Sequence, residues 1–240
     1  MSGVFGDLAI HTDAYRDAYS RINGVVIVGE SLADRHFRRL AALIPDDQEE
    51  LQRLGAMEGQ HARDFAGCGQ QLGIKPDVGL ARRLLAPLQE QFMEADRAGD
   101  RVDCLVIQCV TIECFAVAAY RCYLPVADAF ARPITAAVLH DEAEHLDYGE
   151  QWLGAWFPEV ATRVEACCAG ALPVALGLLR TLAPDLEAIG IDPVDLIGEF
   201  TLSFRQSMER IGFEPRQALA LLSRLVSQVP LPALLPLPGP

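Results

Sequence analysis

Apolar positions along the chain recur at helical rather than alternating spacing, and the breakers fall at intervals suited to long helices. The first stretch predicts a helix from about Thr12 to Leu43. Pro45 then breaks it, and Asp46 or Asp47 is placed to cap a second helix running to about Leu72. "GIKPD" ends that one, and Asp77 can cap a third helix to about Ala98. After "AGD", a long apolar helix is expected from about Arg101 to Phe130, bent near Pro125. Pro133 opens the next, which reaches Trp156. "FPEVA" starts another through Cys168, and Pro173, "APDLEAIGIDP" and "GFEPRQ" punctuate the rest. The last helix should end near Ser227. No segment alternates as a strand would, so the expected fold is all-α. The expected organisation is a short flexible N-terminus (1–11), one domain (12–228) and a Pro-rich tail (229–240).

Composition narrows the function classes. Of 240 residues 51% are hydrophobic, only 7% are aromatic, and the formal net charge is −13. A strongly acidic surface repels phosphate backbones and anionic lipid, which disfavours nucleic acid and a basic membrane anchor as partners. The uncharged run Ala166–Leu179 is shorter than the roughly 20 apolar residues a membrane span needs, and Cys104–Ile112 stops at Glu113. No transmembrane segment or secretory signal is expected, and the location expected is cytoplasmic. Seven cysteines without a CxxC pair fit buried thiols rather than a disulfide framework.

The candidate chemistry lies in two Glu-x-x-His elements, Glu58/His61 and Glu142/His145. At this spacing both side chains share one helix face, where a carboxylate and an imidazole can hold one ion. Each element follows a lone glutamate within an apolar stretch, Glu30 and Glu113, at 28 and 29 residues. A buried carboxylate without a partner protonates, pairs or binds a metal. Neither stretch offers a cation one turn away. The pattern Glu…ExxH…Glu…ExxH is the inward-facing ligand set of di-iron carboxylate bundles. It predicts metal ligands at Glu30, Glu58, His61, Glu113, Glu142 and His145, holding two iron ions in pseudo-two-fold arrangement. No histidine directly precedes either Glu, which excludes the zinc-protease motif.

Beyond these residues, "YRDAYSRIN", "CLVIQCVTIECFAVAAY", "YLPVADAFARPIT", "DEAEHLDYGEQWL" and "RIGFEPRQ" resemble the cyanobacterial aldehyde-deformylating oxygenases, or aldehyde decarbonylases. The resemblance spans about Tyr15 to Gln228. It implies an eight-helix ferritin-like fold with a non-haem di-iron centre on the same six ligands. The implied reaction converts a long-chain fatty aldehyde, O2 and electrons to an alkane one carbon shorter plus formate. Implied partners are a ferredoxin-like electron donor and a reductase that makes aldehydes from acyl carrier protein thioesters. Gln108, Tyr120 and Asp141 would orient ligands. Tyr120, two turns beyond Glu113, fits equally a core tyrosine with a satisfied hydroxyl. Cys68 aligns near the substrate end and fits a buried inert thiol. Val25, Val26, Ile27, Val117, Ala118 and Ala119 are expected to line an acyl channel beside the first and fourth helices. Arg35, Arg38 and Arg39, or Arg82 and Arg83, are candidate donor-docking patches. The sequence departs from the family pattern at Phe37, where Tyr is expected, at Gln60, where Arg is expected, and at Leu84 and Leu85, where aromatics are expected. Two alternatives keep the ligands: a non-catalytic iron-binding or ferroxidase protein, and a di-iron oxygenase acting on another apolar substrate. The extra helical residues after His145 suggest cover over a substrate cavity.

Overall fold

Thr12 accepts a hydrogen bond from the Tyr15 backbone N–H at 3.2 Å, and the first helix begins there. The structure, a computed structural model, describes residues 11–228. Eight helices follow in chain order: α1 (Asp13–Leu43), α2 (Gln48–Gln71), α3 (Val78–Ala98), α4 (Arg101–Tyr123), α5 (Ala131–Ala155), α6 (Ala161–Ala188), α7 (Pro193–Ile211) and α8 (Pro215–Gln228). Among the described residues there is no strand. The expected flexible N-terminus and Pro-rich tail lie almost wholly outside them.

The polar punctuation behaves largely as its chemistry dictates. Asp77 and Asp100 accept from Leu80 N and Asp103 N at 2.8 and 3.1 Å, capping α3 and α4. Gly99 ends α3 at φ +68°, a conformation that favours glycine. Before α2 the outcome differs from expectation. Pro45–Asp47 forms a short 3-10 turn, and Asp47 does not cap with its side chain. It accepts instead from the Tyr148 hydroxyl of α5 at 3.0 Å.

Two further expectations are corrected. The fourth helix is not bent through Pro125; it stops at Tyr123, before the proline ring would obstruct it. Pro173 does not end a helix, because α6 runs through both Pro173 and Pro184. The buried stripe Ala171, Leu172, Ala175, Leu178 and Leu179 holds α6 against the core on both sides of Pro173, and tertiary packing outweighs one missing backbone donor. By length and composition α4 and α6 are apolar enough to cross a membrane, with 67% and 39% of their apolar windows buried in the bundle.

The architecture is two helix pairs joined by a crossover. α1 packs on α2, and α4 packs on α5, with α2 against α5 closing the core. α3 carries the chain between the pairs and packs on α1. α6 lies against α1, α3 and α4, and α7 against α4 and α5. This is the one-crossover bundle arrangement of ferritin-like folds.

Within α4, residues Val106–Ile112 form a π-helix. The approach of α5 to this segment is close. A Cβ added at Gly149 would stand 2.3 Å from the Cys109 Cβ. Gly149→Ala should therefore push α5 off α4. Such overpacking typically costs about 1–3 kcal/mol, and a lowered midpoint in a urea melt would register it; an unchanged midpoint would mean the contact yields freely.

Candidate metal centre

The four helices α1, α2, α4 and α5 each turn their carboxylate or imidazole to one point. Glu30 is 6% exposed, Glu58 and Glu113 1%, His61 2%, and Glu142 and His145 0%. These six side chains form two overlapping sets, Glu30/Glu58/His61/Glu142 and Glu58/Glu113/Glu142/His145. Within each set the donor atoms lie within 4.8 Å of one another. Glu58 and Glu142 belong to both.

The shared residues divide their oxygens. His61 Nδ1 is 3.4 Å from Glu58 Oε2, Glu142 Oε1 and Glu30 Oε2 alike. His145 Nδ1 is 3.0 Å from Glu58 Oε1 and Glu142 Oε2. Donors about 2.1 Å from one ion stand about 3.0–3.4 Å apart at octahedral or tetrahedral angles. The spacing would suit a cation in each set, with Glu58 and Glu142 common to both and Glu30/His61 and Glu113/His145 each belonging to one. Both Glu58 oxygens, Glu30 Oε2, Glu142 Oε1 and His61 Nδ1 are buried without a hydrogen-bond partner. Orphaned donors converging on one point are what a cation would satisfy.

Electrostatics agree. Burial, then the neighbouring Glu142 and Glu30 charges, push Glu58 well above the carboxylate range. Burial, with Glu58 and Glu142 beside it, does the same to Glu113. Burial works against ionised Glu142, yet the neighbouring His145 and His61 imidazoles hold it below that range. Burial also opposes charge on His61, but Glu142, Glu30 and Glu58 raise it. Protons thus hold the cluster together where no cation does.

The three residues expected to orient ligands all touch them. His61 Nε2 faces Asp141 Oδ2 at 3.2 Å; with a proton held there, Nδ1 would offer its lone pair to a cation in the cluster. Gln108 Nε2 donates to Glu113 Oε1 at 2.7 Å. Tyr120 O–H donates to Glu30 Oε1. Burial, then the Glu30 charge, pushes Tyr120 well above its ordinary range, so the phenol keeps its proton. The Gln108–Glu113 bond spans five residues. On an α-helix five residues subtend about 140° from the starting face; the wider π-turn brings them back to roughly one face.

A family model for long-chain fatty aldehyde decarbonylases matches residues 12–226. The chain belongs to that family. A solved structure described as "Protein 19 with aldehyde deformylating oxidase activity from Synechococcus" is 57% identical. That match covers 90% of this chain and 99% of that one, at a TM-score of 0.89. In this decarbonylase the carboxylates open on one side into an apolar cavity between α1 and α4, roofed by α3 and α6. It encloses about 800 Å³ of empty space, part of it open to solvent, and Glu30, Glu58, Glu113 and Glu142 line it. A second apolar cavity of about 460 Å³ shares Val26, Ala119 and Tyr120 with the first.

Of the expected channel residues, Val25, Val26 and Ala119 line the larger cavity. Ile27, Val117, Ala118 and Cys68 line neither. Cys68 is buried with Phe65 and Tyr120, with Ile27 packed on them, and Val117 and Ala118 are buried in α4. The rest of the wall on α4 is Thr111, Ile112, Phe115 and Ala116. Phe37 places its ring 5.3 Å from that of His145 and brings no hydroxyl to it. Gln60 is exposed and bonds Asp64 and Arg63. All seven cysteines are free thiols. The sequence pattern missed His36 and Gln89, which line the same cavity. His36 continues the inward spacing Val25, Gly29, Ala33, and that spacing was the available signal.

Proposed function

We propose that this decarbonylase is a di-iron, aldehyde-deformylating oxygenase. In this reading it consumes a long-chain fatty aldehyde, O2, electrons and protons, and releases an alkane one carbon shorter, formate and water. One observation carries the proposal: the four carboxylates of a six-residue carboxylate–imidazole cluster form a polar end to a mostly apolar cavity. A long-chain aldehyde has the matching polarity, one carbonyl on a hydrocarbon chain.

Bound iron would supply the redox chemistry with O2 that no side chain here can perform. The chain's own residues set the stage. Glu58 and Glu142 would contribute to holding both ions, and the four carboxylates would offset most of their charge. Asp141 fixes the His61 ring, and Tyr120 holds Glu30 by its hydroxyl proton. Val25, Val26, Leu85, Leu88, Phe115 and Leu178 give the hydrocarbon a dry wall. Each CH2 buried there contributes about 0.8 kcal/mol, so chain length feeds directly into binding. Electrons are proposed to come from a ferredoxin-like protein. Arg38 and Arg39 are already tied to Asp34 and Asp96, which favours the exposed Arg82 and Arg83 as its contact.

The deciding assay is anaerobic reconstitution with Fe(II), followed by O2, a reducing system and octadecanal. Heptadecane and formate are expected; iron uptake without either product would leave only a metal-binding protein. Val26→Phe narrows the junction of the two cavities. The variant should keep its iron and shift relative rates toward C8–C12 aldehydes. A uniform drop at all chain lengths, with a lowered melting midpoint, would mean that Val26 is an ordinary core residue.

A further inference from the structure

His36 is not among the six ligands, and nothing in the reaction assigned above uses it. It lies on α1 and is 1% exposed. Its ring stacks on Phe92, with centroids 3.6 Å apart and planes within 13°. Nδ1 is 2.5 Å from Gln108 Oε1, and Nε2 is 3.2 Å from Gln89 Oε1. Gln108 in turn donates to Glu113.

The order of donors in this row is determined by one end. With a cation on the ligand set Glu113 is ionised and only accepts. Gln108 must then turn its NH2 to Glu113 and its carbonyl to His36. His36 must therefore carry its proton on Nδ1. Burial pushes the imidazole down to about 4, more than its bonds to Gln108 and Gln89 raise it, so the ring is neutral. Nε2 is then an acceptor, and Gln89 must present its NH2 group, a half-turn of an amide that changes no shape. The result is a one-way row: Gln89 to His36 to Gln108 to Glu113.

We propose that His36 is a positioning residue for the metal centre, fixed as the Nδ1–H tautomer so that it locks the Gln108 amide against Glu113 and sets which carboxylate oxygen is left for the ion. The proposal rests on the reading of the six residues as metal ligands. Zn(II) is a suitable probe, because it accepts nitrogen and oxygen donors and is diamagnetic.

Two measurements test it. In zinc-loaded protein with 15N-labelled histidine, the His36 ring should show a proton on Nδ1 and none on Nε2, its signals identified by their loss in His36→Asn. This reading needs no folded apolar variant. Zinc affinity is then measured by chelator competition. His36→Asn keeps an N–H donor where Nδ1 stands and should bind zinc within about threefold of the native chain. His36→Leu removes the donor and should lose about ten- to a hundredfold, the usual effect of removing a group that orients a ligand. A proton on Nε2, native affinity in His36→Leu, or equal losses in both variants would each overturn the proposal. Failure of the native chain to bind zinc would overturn the ligand reading itself, which keeps the two failures distinct.

Discussion

Glu142→Ala is expected to strip both metal ions from the protein at once. Glu142 places Oε1 3.4 Å from His61 Nδ1 and Oε2 3.0 Å from His145 Nδ1, so each half of the centre depends on it. A terminal ligand has no such reach, because Glu30 belongs to one set and Glu113 to the other. Elemental analysis after Fe(II) loading should give about two ions per native chain, about one in Glu30→Ala or Glu113→Ala, and about none in Glu142→Ala. Turnover should vanish with the second ion. The variant should still fold, since it loses a buried carboxylate rather than an apolar contact. One ion retained in Glu142→Ala, with a native far-UV spectrum, would make Glu142 a terminal ligand.

Removing the metal should cost stability that one substitution restores. Without cations the cluster crowds four carboxyl groups and two imidazoles into a buried space, and Glu58 and Glu113 are driven above their usual range. Ions bound at a thousand times their dissociation constant stabilise by about 4 kcal/mol. For a chain of this size that corresponds to a melting midpoint roughly 8–16 °C higher. Glu113→Gln keeps the shape and removes the carboxyl that burial penalises. It should raise the midpoint of the metal-free protein and lower that of the loaded one. Calorimetry with and without chelator measures both. A change of the same sign in the two states would mean that Glu113 acts through packing alone.

This cluster was legible in the sequence because its positions carry a conflict. Glu30 and Glu113 interrupt apolar runs, and a shared cation is one resolution of such acidic intrusions at matched spacing. The helices were legible where capping side chains or glycines end them, as at Thr12, Asp77 and Gly99. Pro173 misled because helix propensity is local, whereas α6 is held by the core on either side of it. Val117 misled for a related reason. One turn from Glu113 it shares the ligand's face on an ideal helix, yet the cavity faces Ala116 and Ala119, a step further round. His36 carried only its inward spacing as a signal, because an isolated histidine on an inward face brings no charge conflict and its partners Gln89 and Gln108 are distant in sequence.

The π-segment at Val106–Ile112 makes the length of α4 a functional quantity. A π-turn accommodates a residue that an α-turn would not, so deleting one residue there would restore an ordinary helix. Everything before the deletion would rotate by about 100° relative to Glu113. Cys104 and Leu105, both 0% exposed, would swing off their packing, or else Gln108 would leave the carboxylate it now holds. A gap in this stretch, which in most helices would register only as a length polymorphism, is therefore expected to divide chains of this fold that can bind the second ion in this way from those that cannot.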